Sequence, residues 1–119
     1  MDISAARNEV LIVSPFLSKR RVLSALNYMT ATNAQVTVVT KPPDNYYEKD
    51  RTKIDECIKI LKQNNIMVKT KDRIHQKFAA IDQRIVWYGN INLLSYGASE
   101  ESIMRIESLD IAAELSGII

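Results

Sequence analysis

The side chains that could do chemistry concentrate in one stretch of twenty residues, Arg73–Asn92. It contains the only histidine of the chain, His75, with Lys77 two residues later. Alternation along a strand places these two side chains on the same face. A histidine and a lysine on one face, near an asparagine in a glycine-containing turn, would form a compact anion-binding site.

A β-hairpin is the element that would position these residues. The alternation that starts at His75 continues to Ile81 and predicts a strand. Asp82–Arg84 suits a tight turn, since an aspartate tolerates turn geometry and can bond its own backbone. Ile85–Tyr88 is β-branched and aromatic, which predicts the return strand, and Gly89 ends it.

The chain before this hairpin predicts alternating strands and helices. Short apolar or β-branched runs predict three strands: Val10–Val13, Gln35–Thr40 and Ile66–Thr70. Ser18 can cap a helix over Lys19–Met29. Thr52 and Asp55 approximate a capping box for a second helix, Lys53–Asn64. The apolar residues of that helix recur at helical spacing and include Cys57, so we interpret Cys57 as a core residue and not a nucleophile.

The two ends of the chain also predict helices. Ile3–Glu9 is typical of the last turns of a helix, so we expect the natural protein to extend further at its N-terminus. Ser102–Ile106 predicts a final strand, and Ser108 can cap a last helix. One side of that helix would carry Ile111, Leu115 and Ile118.

The order of these elements, β-α-β-α-β-β-β-β-α, predicts a single α/β domain over residues 1–119. We expect a mixed sheet, because short turns join the late strands as hairpins. Helices would flank this sheet on both faces. The length of 119 residues is enough for one hydrophobic core.

Composition excludes several classes of protein. The chain is 46% hydrophobic and 25% charged, as is usual for a globular domain. A single cysteine excludes an internal disulfide and a multi-cysteine zinc site, so we expect a reducing, cytoplasmic location. No apolar run approaches the roughly 20 residues that span a bilayer, and no secretory signal or membrane anchor is visible.

Charge and aromatic residues allow nucleic-acid binding without requiring it. The net charge is +2. Lys41–Lys77 has ten Lys or Arg against six Asp or Glu, a local excess of +4, whereas residues 100–119 have one Arg against five acids. A basic side is one interpretation, and a solvated surface is the other. Tyr46 and Tyr47 in the polar segment Lys41–Arg51 could stack on a base, or could only cover the core.

The polar residues of the central stretch fall in a known pattern. It resembles the phospholipase D superfamily motif, H-x-K-x(4)-D-x(6)-G-S-x-N, in residue types and in every spacing. The matching residues are His75, Lys77, Asp82, Gly89 and Asn92, with Asn90 in place of the usual serine. The resemblance extends to Val-Ser-Pro-Phe-Leu at residues 13–17 and covers most of the chain from Val10 onward. An asparagine amide can donate to phosphate as a hydroxyl does.

This resemblance implies a role for each residue. His75 would attack phosphorus and form a phosphohistidine. Lys77 and Asn92 would hold the non-bridging oxygens, and Asn90 would help to bind substrate. Glu101 would be the fourth catalytic residue, whereas Asp82 and Gly89 would have structural roles. Asp82 would make structural hydrogen bonds and Gly89 would form the turn, while Glu101, or alternatively Glu100, would orient His75.

The resemblance also implies a second histidine, which would protonate the leaving oxygen. The chain has one histidine, so the other would come from a second copy in a twofold dimer or from another half of a longer parent chain. No metal or other cofactor is required by such a mechanism. We therefore expect a homodimeric, metal-independent phosphodiesterase or endonuclease that acts on DNA or RNA.

Two alternatives stay open. The domain could be a non-catalytic or weakly catalytic nucleic-acid-binding module of a larger helicase or restriction protein, since similar domains sit beside helicases. It could also be a phospholipid phosphodiesterase, although the chain lacks an amphipathic membrane helix.

Overall fold

A six-stranded mixed sheet forms the centre of the protein in a computed structural model, which describes residues 6–74, 77–89 and 103–118. The strands within these ranges are β1 (Glu9–Val13), β2 (Gln35–Thr40), β3 (Met67–Thr70), β4 (Phe78–Ile81), β5 (Ile85–Gly89) and β6 (Ile103–Glu107). The helices are α1 (Lys19–Ala31), α2 (Glu48–Gln63) and α3 (Leu109–Ile118), and a short 3₁₀ turn, Pro43–Asn45, precedes α2.

The strands lie in the order β3-β2-β1-β4-β5-β6. β1, β2 and β3 are parallel to one another, and β4 is antiparallel to β1. β4, β5 and β6 form an antiparallel meander. The predicted mixed α/β sheet is therefore confirmed. In its parallel half α1 joins β1 to β2 and α2 joins β2 to β3, and in its antiparallel half a turn at Asp82–Arg84 joins β4 to β5.

Alternation along the strands divides the core between the two faces of the sheet. One face packs against α1 and α2, through Val10, Ile12, Ala79 and Ile81 together with helix residues such as Val22, Ile54 and Cys57. The other face packs against α3, through Val13, Phe78, Ala80, Val86 and Ala112. Helices thus cover both faces, as predicted. Cys57 is fully buried in the first cluster, and burial raises the pKa of its thiol.

Two helix predictions were wrong: the helix over Ile3–Glu9 and the start of the second helix at Lys53. The described part of the expected N-terminal helix, residues 6–8, is not helical, and Glu9 already pairs with Gln35 in β1. α2 begins at Glu48 and not at Lys53. Glu48 and Asp50 lie in its first turn, where carboxylates stabilise the positive end of the helix dipole. Thr52 therefore lies inside the helix and does not cap it.

The last helix begins where the sequence predicts, but it presents a different face. Ser108 Oγ accepts from the backbone N–H of Ile111 at 3.2 Å. Ala112, four residues after the cap, is fully buried, whereas Ile111 is 37% exposed. Leu115 packs against the core as predicted, and the side chain of Ile118 lies outside the described residues. A small alanine allows the helix backbone to approach the sheet closely, which rotates Ile111 outward.

The cap of α1 offers a direct test of these helix boundaries. Ser18 Oγ accepts from the backbone N–H of Arg21 at 3.3 Å. Ser18→Ala should therefore lower the free energy of unfolding by about 1 kcal/mol. Thr52→Ala should leave it unchanged or raise it slightly, because alanine has the higher helix propensity. Urea denaturation measures both, and a loss at Thr52 equal to that at Ser18 would contradict the observed start of α2.

Candidate active site

The carboxyl ends of β1, β2 and β3 form one edge of the sheet, here called the carboxyl edge. Backbone hydrogen bonds continue past the strands there: Ser14 N–H donates to Val39 at 3.0 Å, and Lys41 N–H donates to Pro15 at 3.2 Å. Lys71 N–H donates to the Thr40 carbonyl at 2.9 Å. The residues that follow the three parallel strands are thus held side by side. In open α/β sheets this edge is the usual place for a ligand.

β4 enters the sheet at this same edge. Phe78 pairs with Val13, so Lys77 comes next to Ser14 in the antiparallel register. The Lys77 side chain is half-buried. Phe78 also pairs with Tyr88, and Gly89, the last residue of β5, pairs with Ile103, the first of β6. Two chain segments, residues 75–76 and 90–102, lie outside the described residues. The meander brings the described residues that flank these two segments to the carboxyl edge.

Those two segments contain most of the predicted site residues. His75, Asn90, Asn92, Glu100 and Glu101 lie outside the described residues. The residues that flank these segments in the sequence are described, and they show where the segments begin and end. Ile74 is buried with Val13, Val39 and Phe78, while Lys77, Gly89 and Ile103 are placed by the strand pairing. The structure thus places Lys77 and Gly89 at one edge of the sheet.

Four basic residues lie at or next to the carboxyl edge, and we call them the basic cluster: Lys41, Lys71, Arg73 and Lys77. Lys71 and Arg73 are exposed, and Lys41 and Lys77 are half-buried. Asp72, between Lys71 and Arg73 in the sequence, accepts from the Asn45 side-chain amide at 3.2 Å. Sequence reasoning missed Lys41 and Lys71 as site residues. The available signal was that each directly follows a parallel strand.

Asp82 lies at the opposite end of β4. Asp82 directly follows Ile81 and begins the turn, and the four residues of β4 separate it from Lys77, so the two lie about 16 Å apart. The Asp82 carboxylate accepts backbone N–H groups from Arg7 at 3.0 Å, Asn8 at 2.7 Å and Glu9 at 3.1 Å. This carboxylate joins the hairpin turn to the start of β1 and is too far away to reach a phosphate held by Lys77.

The environment of Asp82 favours its charged form. Burial raises the pKa of its carboxyl, but the backbone donors of Asn8, Arg7 and Glu9, with the nearby charge of Arg84, outweigh burial and hold the pKa below its ordinary value. Asp82 and Gln83 both have a φ of 53°, as hairpin turns of type I′ require. The Gln83 side chain donates to Glu9 Oε1 at 2.7 Å. Both turn residues therefore anchor the segment before β1.

The chain that leaves β1 is held rigidly beside the carboxyl edge. The Pro15 carbonyl accepts from Thr40 Oγ1 at 3.1 Å and from the Tyr46 hydroxyl at 3.1 Å, in addition to Lys41 N–H. The Tyr46 hydroxyl accepts from Leu17 N–H at 2.8 Å. Burial raises the pKa of Tyr46, which keeps this hydroxyl a donor. Of Tyr46 and Tyr47, which could stack on a base or cover the core, Tyr46 therefore has a structural role.

A groove of about 810 Å³ opens next to this turn, between the residues that follow β1 and the start of α2. Its lining includes Phe16, Lys19, Tyr46, Tyr47, Asp50 and Lys53. The Phe16 and Tyr46 rings meet edge to face, with centroids 5.5 Å apart, and Lys41 Nζ lies 5.0 Å from the Phe16 centroid. Tyr47 is 79% exposed at the rim. Sequence reasoning did not identify this groove.

Comparison with known proteins agrees with this geometry. The family model described as cardiolipin synthase, phospholipase D-like domain, matches residues 1–119. The chain belongs to this family. Nuc from Salmonella typhimurium, a phospholipase D family member, superposes on this phospholipase D-like domain with a TM-score of 0.74 at 14% identity, over 98% of this chain and 78% of that one. The predicted superfamily and fold are thus confirmed.

Two further solved structures share the fold of this phospholipase D-like domain. NucT from Helicobacter pylori gives a TM-score of 0.68 at 19% identity, over 98% of this chain and 79% of that one. TrmBL2, an archaeal chromatin protein whose structure shows a novel mode of DNA binding, gives 0.64 at 12% identity, over 98% and 41%. At these identities the likeness concerns the fold. The comparison with curated protein sequences found no match.

The described part of this phospholipase D-like domain has neither a membrane-spanning helix nor a cluster of metal-ligating side chains. None of its helices is long and apolar enough to cross a membrane. Residues 6–74, 77–89 and 103–118 also contain no group of three or more His, Cys, Asp or Glu side chains placed to hold a metal ion.

Proposed function

We propose that this domain is a metal-independent phosphodiesterase that cleaves nucleic acid at the carboxyl edge, with His75 as the nucleophile. The observation that carries the proposal is the placement of Lys77 in the basic cluster, at the edge where β4 begins and β5 ends. His75 is two residues from Lys77. The family membership supports phosphodiester chemistry at this place.

The proposed reaction has two steps. A His75 ring nitrogen attacks phosphorus, a nitrogen–phosphorus bond forms, and the bond to the leaving oxygen breaks while a second histidine donates a proton to that oxygen. Water then attacks the phosphohistidine, gives its proton to the second histidine, and releases His75. Lys77 and Asn92 stabilise the charge on the non-bridging oxygens, and Asn90 donates to the bound phosphate.

The second histidine is proposed to come from a second copy of the chain. The sequence contains one histidine, and a twofold axis through the site would bring two His75 side chains to one phosphate. Glu101, or alternatively Glu100, is proposed to accept the other ring N–H of His75 and so fix its tautomer. A second histidine from elsewhere in a longer parent chain is the other possible source.

Nucleic acid is proposed as the substrate because of charge. The basic cluster offers several cations along one edge of the sheet, and a chain of phosphates is the polymer that such an edge suits. TrmBL2, which shares the fold, is described as binding DNA. Both observations support a polyanionic substrate, either DNA or RNA.

Hydrolysis in the presence of EDTA tests the proposal. The wild-type chain should hydrolyse bis-p-nitrophenyl phosphate and a labelled oligonucleotide at the same rate with and without EDTA. Sedimentation of the same sample should show a dimer. Loss of activity with EDTA would contradict the metal-independent mechanism, and full activity in a monomer would contradict the shared site.

Two other functions each have one observation in their favour. TrmBL2 favours a DNA-binding domain without catalysis, for which binding would weaken steeply with salt while no cleavage occurs. The family, which is named for cardiolipin synthase, favours a phospholipid substrate. Competition separates the latter from the main proposal: anionic liposomes should not displace an oligonucleotide from the site unless the substrate is lipid.

A further inference from the structure

We infer that the groove between Phe16 and Tyr47 is a nucleobase-binding subsite, which holds an unpaired segment of the nucleic acid next to the phosphate being cleaved. This inference deepens the proposed function and rests on it for the identity of the ligand. The described lining of the groove lies on α1, α2 and the loops before them, and it does not include Lys77, Asp82 or Gly89, the described residues of the motif.

The groove lies beside the carboxyl edge. Phe16 follows Pro15, whose carbonyl accepts from Lys41 N–H at 3.2 Å. The Lys41 ammonium lies 5.0 Å from the centroid of the Phe16 ring. Lys41 thus belongs to the basic cluster and also contacts the wall of the groove. A strand of nucleic acid whose phosphate is held at the edge would place its next nucleotides over Phe16.

Two aromatic rings of the groove are exposed on rigid supports. Phe16 is 40% exposed and is held by the edge-to-face contact with Tyr46. Tyr47 is 79% exposed, and its carbonyl accepts from Asp50 N–H at 2.8 Å in the first turn of α2. Exposed rings on a fixed backbone are the platforms on which unpaired bases stack. The volume of about 810 Å³ is that of an ordinary ligand cleft, roughly 300–1,000 Å³.

The charges of the groove suit a strand with few phosphates inside it. Lys19 and Lys53 lie on its wall with one acid, Asp50. Lys19 is partly neutralised by Glu56 at 3.4 Å, where both side chains are about half exposed. Lys53 is exposed and can hold one phosphate, while the Asp50 carboxylate can accept from an amino group of a base. This modest charge fits bases better than the two phosphate rows of a duplex.

A single strand follows from the stacking requirement. The rings of Phe16 and Tyr47 can contact the face of a base only where that face is free of its neighbours, and in a duplex the base faces are stacked. The proposed ligand is therefore a single strand or an unpaired end. A duplex would reach the basic cluster alone.

Binding of a labelled oligothymidylate of roughly 12 nucleotides tests the subsite. Fluorescence anisotropy would be measured in the His75→Ala background, so that the probe is not cleaved. Tyr47→Ala should raise Kd about 5- to 150-fold, which is the usual effect of losing one stacked base. Tyr47→Phe should bind as the parent does. Tyr28→Ala is the matched control, because Tyr28 is also exposed but lies on α1 and does not line the groove. This variant should also bind as the parent does.

A second variant tests the charge. Lys53→Gln should reduce the slope of log Kd against log salt concentration by about 0.7, the value for one phosphate of a single strand. Lys62→Gln, at the far end of α2, should leave the slope unchanged. A blunt duplex of the same length should bind more weakly than the single strand, and its Kd should not depend on Tyr47.

The outcomes separate this inference from the proposed function. Hydrolysis of bis-p-nitrophenyl phosphate by the wild type tests only the chemistry. If hydrolysis is absent while binding depends on Tyr47, the proposed function fails and the subsite stands. If hydrolysis occurs but Tyr47→Ala binds the single strand as tightly as the parent, the subsite is refuted. Equal dependence of single strand and duplex on Tyr47 would refute it as well.

Discussion

His75→Ala is expected to lower kcat for hydrolysis of bis-p-nitrophenyl phosphate by about 10⁴-fold or more, the scale seen when a covalent nucleophile is removed. Alanine cannot form the nitrogen–phosphorus bond, and no other side chain in the sequence offers an imidazole. Initial rates at saturating substrate measure the effect. Thermal unfolding of the variant is the control, because an unchanged melting temperature excludes loss of fold as the cause.

The effect of Lys77 should be large but smaller than that of His75. Lys77→Ala removes one group that stabilises charge on the phosphate, which typically costs about 10²- to 10³-fold in kcat. Lys62→Ala, an exposed lysine at the end of α2, should leave the rate unchanged. A Lys77 variant as impaired as His75→Ala would contradict the expected order of the two effects, and a fully active His75→Ala would exclude the proposed mechanism.

Mixing experiments decide whether two chains share one site. If each site needs two copies of His75, a dimer of one wild-type and one His75→Ala chain has no complete site. After subunit exchange between equal amounts of the two chains, roughly one quarter of the dimers carry two wild-type chains. Activity should therefore fall to roughly one quarter, and not to one half, of that of wild type alone at the same total protein concentration. Activity that falls in proportion to the wild-type fraction would show that each chain works alone or finds its second histidine elsewhere.

The central hairpin was predictable because its signals are local. Strand alternation, a turn at Asp82 and a β-branched return strand lie within fifteen residues of one another, and the structure pairs Ile81 with Ile85 as expected. The first strand is shorter than predicted, because β4 begins at Phe78 and the described Lys77 lies just before it. The start of α2 was not predictable from Thr52, because the helix is extended by Glu48 and Asp50 through charge. The packing of Ile54 and Cys57 in the core does not decide between the two starts, because both residues lie inside the helix whether it begins at Glu48 or at Lys53.

The basic cluster and the groove were not predicted, since a lysine directly after a strand indicates a site only once the strand order is known. Lys41, Lys71 and Lys77 lie at one edge only because β1, β2 and β3 are parallel to one another and β4 is antiparallel to β1. Phe16 and Tyr47 are brought together by the turn that the Pro15 carbonyl holds. The motif spacing predicts which residues act, whereas the sheet topology determines which cations and rings surround them.

Asp82→Ala is expected to lower the free energy of unfolding by about 2 kcal/mol, since the carboxylate accepts three backbone N–H groups from residues 7–9. These donors are largely exposed, so water replaces part of what is lost. Asp82→Asn keeps an acceptor oxygen without the charge and should cost less. Asp55→Ala, an exposed aspartate of α2, should change the free energy by less than about 0.5 kcal/mol. Urea denaturation at neutral pH measures all three.

The contribution of Asp82 should also depend on pH in a defined direction. The folded-state pKa of this carboxyl lies below its unfolded value, so its stabilisation is fully present above the ordinary aspartate pKa of about 3.9 and is lost as the pH falls through the lower, folded value. The difference in unfolding free energy between wild type and Asp82→Asn should therefore be constant from neutral pH down to about pH 5 and shrink below about pH 4. Asparagine does not titrate, so this difference isolates the Asp82 carboxyl from the other acids. A difference that persists unchanged into strong acid would mean that the charge of Asp82 does not hold the start of β1, and that shape alone anchors the hairpin turn there.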